Sequence, residues 1–135
     1  MSDRSVPLKG FRDLIAWQRG HALYVLVHTL TRAMPTTERF GLSLQMRRSA
    51  ESVPSNIAEG YGLGTRPMFL KHLRIARGSL FELDSQCECA TAVGVLDPHP
   101  RLTDLTAECA RVLQGLISSI ELRERRSREG PPPPA

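Results

Sequence analysis

Proline and glycine residues divide this chain into four long segments, and these breaks limit the folds available to it. The breaks fall at Pro35, at the glycine-rich run 60–64, at Gly94, and at Gly130 with the prolines that follow it. Between the breaks, apolar residues recur at steps of three and four, the period of a helix with one buried face. No alternating run of β-branched residues predicts a strand. We therefore predict an all-α protein.

The helix boundaries follow from residues that favour helix starts and stops. The predicted starts are marked by capping side chains or first-turn prolines: Thr36 and Thr37, Thr65 with Pro67, and Asp97 with Pro98. Pro54 lies inside the second helix and predicts a kink there. Four helices of similar length with short connections are typical of an antiparallel up-down-up-down four-helix bundle.

The apolar period also predicts which residues face the core. On the first helix these are Trp17, Gly20, Tyr24, Val27, Thr31 and Met34, and on the fourth they are Leu105, Cys109, Val112, Leu116 and Ile120. The predicted domain boundaries are an N-terminal extension at 1–12, the bundle at 13–125, and a disordered proline-rich tail at 126–135.

Length and composition agree with one small domain. The chain has 135 residues, 41% of them hydrophobic, enough for a single modest core. It has no apolar run long enough to span a bilayer and no signal-peptide pattern, so we expect a cytoplasmic protein. The three cysteines do not have the even number and spacing of a disulfide framework. We interpret them as small apolar residues.

The formal net charge of +4 resides in the two ends of the chain. Residues 1–12 contain three basic residues and one acidic residue, and residues 123–129 contain four arginines and two glutamates, so each segment carries +2. Residues 13–122 are therefore neutral in sum. A basic tail suits contact with phosphate, but this sum predicts no global positive field on the folded body.

The order of charges predicts ion pairs between the two central helices. Folding the chain at the glycine turn would place Glu51 and Glu59 opposite four basic residues of the third helix: Arg66, Lys71, Arg74 and Arg77. It would also place Arg39, Arg47 and Arg48 opposite Glu82, Asp84 and Glu88. Cations in the first half of a helix need a partner. That partner is either the facing carboxylates or a phosphate backbone, and on a single subunit we favour the carboxylates.

The sequence does not predict catalysis, a metal site or a cofactor. The Glu-x-x-His pairs of di-iron bundles are missing, and His21 and His28 share a helix face with no carboxylate beside them. No nucleophile or base stands in a recognisable catalytic motif, so we predict that the protein is not an enzyme. The 60–64 loop is interpreted as a helix-hairpin turn, with phosphate binding as the alternative.

The first helix has more apolar surface than a lone bundle requires. From Ala22 to Leu30 it carries no formal charge and is apolar nearly all round. Nine residues are too few to cross a membrane, and such a helix is normally buried on more than one side. We therefore predict that a second copy of the chain covers it, with Trp17, Leu23, Leu26 and Leu30 in the interface.

Two segments carry a resemblance to a known family. They are Gln45–Gly60, which includes Ser-Val-Pro-Ser-Asn-Ile-Ala-Glu-Gly, and Phe69–Leu83, which begins Phe-Leu-Lys-His-Leu. Together with Phe-Arg-Asp-Leu-Ile-Ala-Trp-Gln at 11–18, they resemble the signature of the four-helix bundle proteins associated with intervening sequences of bacterial 23S ribosomal RNA genes. The resemblance covers about Phe11 to Arg123. A departure is Gly20, where relatives tend to have alanine.

The resemblance implies a bacterial protein that forms a ring-like homopentamer. Its relatives include the accessory variability determinants of diversity-generating retroelements, and they are thought to engage nucleic acid or a reverse transcriptase. Two functions follow as expectations. The first is nonspecific binding of RNA or DNA through Arg47, Arg48, Arg66, Lys71, Arg74, Arg77 and the tail arginines. The second is an oligomeric protein-interaction scaffold whose arginines serve ion pairs. A ring would repeat the weak basic patch of each subunit and so strengthen binding to a long strand. For this reason we place nucleic-acid binding first.

Overall fold

The protein forms four α-helices and two short 3₁₀ helices. The computed structural model describes residues 9–38, 41–130 and 133–134. The α-helices are α1 (Ile15–Thr31), α2 (Leu42–Gly62), α3 (Arg66–Ala92) and α4 (Pro100–Glu129), and the 3₁₀ helices are Phe11–Asp13 and Thr36–Glu38. The described residues contain no strand. The predicted all-α class is confirmed. Arg39 lies outside the described residues, and so does the predicted ion pairing of Arg39.

Each α-helix packs against two others in an antiparallel four-helix bundle. The packed pairs are α1 with α2, α2 with α3, α3 with α4, and α4 with α1. Short connections place consecutive helices side by side with opposite directions, which is the up-down-up-down arrangement. The glycines that close the hairpins adopt the left-handed conformation, with φ of 82° at Gly64 and 81° at Gly94. Such values favour glycine because it has no Cβ.

The core is aliphatic and is filled from all four helices. The largest fully buried side chains are Leu23, Val27, Met46, Val53, Ile57, Leu73, Leu80, Leu83, Leu113 and Ile117. The predicted inner face is correct at Leu105, Cys109 and Ile120 of α4. Leu113 and Ile117 replace the predicted Val112 and Leu116, which are half-buried. Steps of three and four both fit a helical stripe, so the sequence period leaves the phase uncertain by one residue.

Two of the predicted helix starts are corrected by the structure. Thr65 caps α3 as predicted, because its Oγ1 accepts a hydrogen bond from the Met68 N–H at 3.4 Å. Thr36 and Thr37 belong instead to a 3₁₀ helix, and α2 begins after Gly41. Helix α4 begins at Pro100, where His99 Nδ1 accepts from the Leu102 N–H at 3.3 Å. The 3₁₀ turn and the proline at 100 each move the helix start further along the chain.

The close approach of α1 to α2 explains the glycine at position 20. A Cβ built there would lie 3.1 Å from Val53 Cγ1 and 3.6 Å from the Pro54 backbone nitrogen. Pro54 carries no N–H, so α1 can pack against this part of α2 without covering a donor. The close packing that glycine permits at this crossing offsets its lower helix propensity, which costs about 1 kcal/mol relative to alanine.

Candidate nucleic-acid interface

The fold separates basic from acidic side chains along the axis of the bundle. The first half of α3 carries Arg66, Lys71, Arg74 and Arg77 without an acidic residue, and its second half carries Glu82, Asp84 and Glu88 without a basic one. Antiparallel packing places the basic half of α3 beside the C-terminal part of α4. That part adds Arg123, Arg125, Arg126 and Arg128. These eight residues form one basic end, and the four that belong to α3 lie within 13–122, whose charges sum to zero.

The arginines of α3 pair with α4 and not with the predicted carboxylates of α2. Arg74 Nη2 lies 2.7 Å from Glu121 Oε2, and Arg66 Nη1 lies 3.5 Å from Glu124 Oε1. Arg77 Nη1 donates a hydrogen bond to Gln114 Oε1 at 2.9 Å. The prediction that Glu51 and Glu59 pair with these arginines is wrong. The order of charges along two antiparallel helices indicates which residues lie at the same height in the bundle. It does not give the rotation of each helix about its axis, and the rotation of α3 directs positions 74 and 77 toward α4.

These pairs leave the arginines able to contact a further anion. The side chains of the Arg74–Glu121 pair are 46% and 35% exposed, and exposed ion pairs contribute only about 0–1 kcal/mol. A guanidinium carries five N–H donors, so one carboxylate does not saturate it. Lys71 is exposed, and no carboxylate within the described ranges lies within 4.0 Å of its amine.

Two shallow clefts flank the C-terminal part of α4 at the basic end. One has a volume of about 480 Å³ and is lined by Arg66, Arg123, Arg126, Ser127 and Gly130. The other, of about 390 Å³, is lined by Pro67, Leu70, Arg74, Glu121, Glu124, Arg125 and Arg128. Guanidinium groups therefore stand on both sides of one helix, a geometry suited to successive phosphates of a strand.

Helix α4 reaches further than the sequence predicted. The bundle was expected to end at 125, with a disordered tail from 126, but the helix continues to Glu129 and ends before Gly130, where φ is 78°. The tail arginines at 126 and 128 are thus held on a helix. A run of charged residues without apolar period gave no signal for this extension, although the glycine at 130 marks the observed end.

Arg47 and Arg48 lie apart from the basic end, near the N-terminal end of α2. The Arg47 side chain is half-buried, and its Nε donates to the buried Thr31 Oγ1 at 2.8 Å. This hydrogen bond ties the end of α1 to α2 and gives Arg47 a structural role. Arg48 is exposed. The structure thus brings together four of the six predicted residues, namely Arg66, Lys71, Arg74 and Arg77.

A polar network between α2 and α3 explains the most distinctive segment of the sequence. Asn56 Nδ2 donates to the Ser52 carbonyl and to Ser52 Oγ, both at 2.9 Å. Ser52 Oγ lies 2.7 Å from Ser79 Oγ, and His72 Nδ1 lies 3.0 Å from Asn56 Oδ1. Ser52, Asn56 and Ser79 are half-buried, and polar groups withdrawn from water are costly unless they are paired. The network therefore fixes the register of α2 against α3, and His72, which is 9% exposed, belongs to it.

The four side chains predicted for an interface between copies divide into two groups. Leu23 is fully buried in the core of its own subunit, so its prediction as an interface residue is corrected. Trp17, Leu26 and Leu30 are half-buried, and the Trp17 ring stacks on His21 with centroids 4.9 Å apart. Ile15 and Val25 are 43% and 49% exposed. The sequence prediction did not name these two side chains, because residues on both flanks of the helix are apolar.

A sequence model of the family described as 23S rRNA-intervening sequence protein matches residues 12–118. The chain belongs to this family. The matched segment includes the two signature segments 45–60 and 69–83, the Ser52–Asn56–His72 network and the basic half of α3. It ends before Arg123, Arg125, Arg126 and Arg128, the arginines in the C-terminal part of α4. No curated protein matches the chain in sequence.

The described residues of this member of the 23S rRNA-intervening sequence protein family include two thiols with raised pKa values. They hold no group of three or more His, Cys, Asp or Glu side chains that could bind a metal ion. Burial, with a contribution from Asp84, raises the pKa of the Cys87 thiol to about 11. Burial and Glu108 raise the pKa of Cys109 to about 12. Both thiols stay protonated at neutral pH and are poor nucleophiles.

The structure also bears on the predictions made for the cysteines and for a membrane span. Cys109 is buried and Cys87 half-buried, as expected of small apolar residues, but Cys89 is exposed. Across the described part of the chain, no helix is both long and apolar enough to cross a membrane.

Proposed function

We propose that this chain is a non-enzymatic, oligomeric nucleic-acid-binding protein whose basic end contacts the backbone of RNA or DNA. The observation that carries this proposal is the gathering of eight lysine and arginine side chains on the paired ends of α3 and α4. The fold brings two basic segments that are distant in the sequence, 66–77 and 123–128, into one positively charged surface. Such a surface attracts a polyanion. The family name refers to an intervening sequence of ribosomal RNA, which supports RNA as the first ligand to test.

Self-association is the second part of the proposal. Ile15 and Val25 are exposed on α1 beside the half-buried Leu26 and Leu30. At about 3.6 residues per turn, Ile15, Leu26 and Leu30 lie along one side of α1. Val25 lies roughly 80° to 140° round the helix from them, so together they span much of the face turned away from the core. An exposed apolar surface of this kind is normally covered by a partner. We propose that a second copy covers this face, and that the copies close into a ring-like homopentamer, as the sequence resemblance implies. A ring would present several basic ends at once and raise the avidity for a long strand.

The alternative function is a protein-interaction scaffold without nucleic-acid binding. A specific observation favours it: Arg66, Arg74 and Arg77 already have partners on α4. In that case these side chains hold the helices together, and the chain serves a protein partner such as a reverse transcriptase. The two functions differ in salt dependence, because only phosphate binding releases many counterions.

The experiment is to measure binding of the full chain to mixed-sequence RNA and DNA of about 16 nucleotides at salt concentrations between roughly 50 and 200 mM. The mass of the protein in solution is measured in parallel. We expect an oligomer whose log affinity falls linearly with log salt, with a slope of about −3 or steeper, since each neutralised phosphate contributes about −0.7 to −0.9.

A monomer that binds with this slope would remove the oligomeric part of the proposal alone. Absence of binding at the lowest salt concentration would contradict nucleic-acid binding and favour the scaffold.

A further inference from the structure

Phe81 is the most exposed aromatic side chain in the described part of the chain. Its side chain is 60% exposed. Aromatic residues usually bury most of their surface, so a ring left in water on a helix is unusual. Val93 is also exposed, at 70%, but it lies at the end of α3, where it follows the last helical residue.

Phe81 lies on the same edge of α3 as Arg74 and Arg77, which we call the basic edge. Residues 74, 77 and 81 follow steps of three and four, so their side chains lie along one edge of the helix. The contacts of Arg74 with Glu121 and of Arg77 with Gln114 show that this edge faces α4. Phe81 stands one turn, about 6 Å, beyond Arg77. By the same antiparallel register, position 81 lies level with about residue 110 of α4, which is an alanine.

Acidic residues define where this basic edge stops. Asp84 and Glu88 lie one and two turns beyond Phe81 on the same side of α3. They line a cleft of about 500 Å³ together with Asp97, and carboxylates there repel a phosphate chain. A polyanion on the basic edge must therefore end at Phe81 and extend in the other direction, toward Arg125 and Arg128 of α4.

We infer that the basic edge binds single-stranded nucleic acid and that Phe81 stacks on an unpaired base at its end. Single-strand binders combine a positive track for the backbone with aromatic faces for the bases, and the stacking tolerates any sequence. A duplex keeps its bases stacked inside and has none to offer to an exposed ring. The inference rests on the proposed function and adds a ligand class to it, because it distinguishes unpaired strands from duplexes.

The test compares Phe81→Ala with the wild-type chain for binding to a single strand and to the duplex of the same sequence. We expect Phe81→Ala to weaken single-strand binding by about 10- to 100-fold, the range of one base–aromatic stack. The salt slope should not change, because the substitution leaves every phosphate-binding side chain in place. Phe81→Trp should retain the affinity, and Val93→Ala is the matched control for loss of an exposed apolar side chain at the end of the same helix.

Several outcomes separate this inference from the proposed function. If the wild type binds a single strand and Phe81→Ala binds it equally well, the stacking role is wrong while backbone binding stands. If the wild type binds duplex as tightly as single strand, the preference for unpaired strands is wrong. If Phe81→Ala lowers the oligomer mass, Phe81 belongs to a contact between copies instead. If the wild type binds neither ligand, the proposed function fails as well.

Discussion

Leu23→Ala is expected to lower the free energy of unfolding by about 2–5 kcal/mol. The side chain is fully buried between the helices of one subunit, and removing a buried leucine side chain loses transfer free energy and leaves a cavity. The measurement is denaturant unfolding at a fixed protein concentration, because association makes stability depend on concentration. The mass in solution should remain that of the wild type.

Val25→Ala is the matched control, two residues further along the same helix. Its side chain is 49% exposed within the subunit, so truncation should change the stability of the subunit by no more than about 0.5 kcal/mol. Instead it should weaken association of the copies. If Leu23→Ala changed the mass while the unfolding midpoint stayed constant, Leu23 would face another copy, as the sequence alone suggested.

Gly60→Ala should lower the free energy of unfolding by about 2–3 kcal/mol. A Cβ at this position would lie 2.7 Å from His72 Cβ and 3.3 Å from the Phe69 carbonyl oxygen. Neither atom is the end of a flexible side chain, so α2 and α3 must move apart to admit the methyl group. Overpacking of this kind typically costs about 1–3 kcal/mol, and here it also stretches the hydrogen bond between His72 and Asn56.

Gly62→Ala separates this steric effect from helix propensity. Gly62 is the last residue of the same helix, and nothing lies within 4 Å of a Cβ built there. Alanine should therefore be neutral or stabilising by up to about 1 kcal/mol, since it favours the helix more than glycine does. Equal losses in both variants would show that the close approach at position 60 is not what selects glycine.

The sequence predicted the fold well because its signals were local. Pro35, Gly64, Gly94 and Thr65 act through their own backbone conformation or nearest neighbours, and the structure confirms the breaks at Gly64 and Gly94 and the cap at Thr65. The phase of α4 was harder, since half-buried Val112 and fully buried Leu113 both suit a stripe. Only the packing of α1 and α3 decides between them.

The candidate site depended on information that the chain does not carry locally. The partners of Arg74 and Arg77 lie on α4, about 40 residues away, and their selection needs the rotation of α3 about its axis. Arg47 was predicted to contact a ligand, but a buried Thr31 occupies its Nε. The sum of charges over 13–122 did not show the charge separation, because it adds the two ends of the bundle together. Antiparallel packing groups charges by their height in the bundle and not by their order in the chain.

The measurement that tests the central claim most directly is the salt slope of RNA binding by two charge-matched variants. Lys71→Gln with Arg77→Gln removes two charges from the basic end, and Arg32→Gln with Arg101→Gln removes two exposed arginines from the other end of the bundle. We predict that the first pair makes the slope less negative by about 2, roughly 1 for each phosphate that is no longer neutralised, while the second pair leaves it unchanged. Equal slopes for the two variants would contradict a localised phosphate-binding surface on α3 and α4.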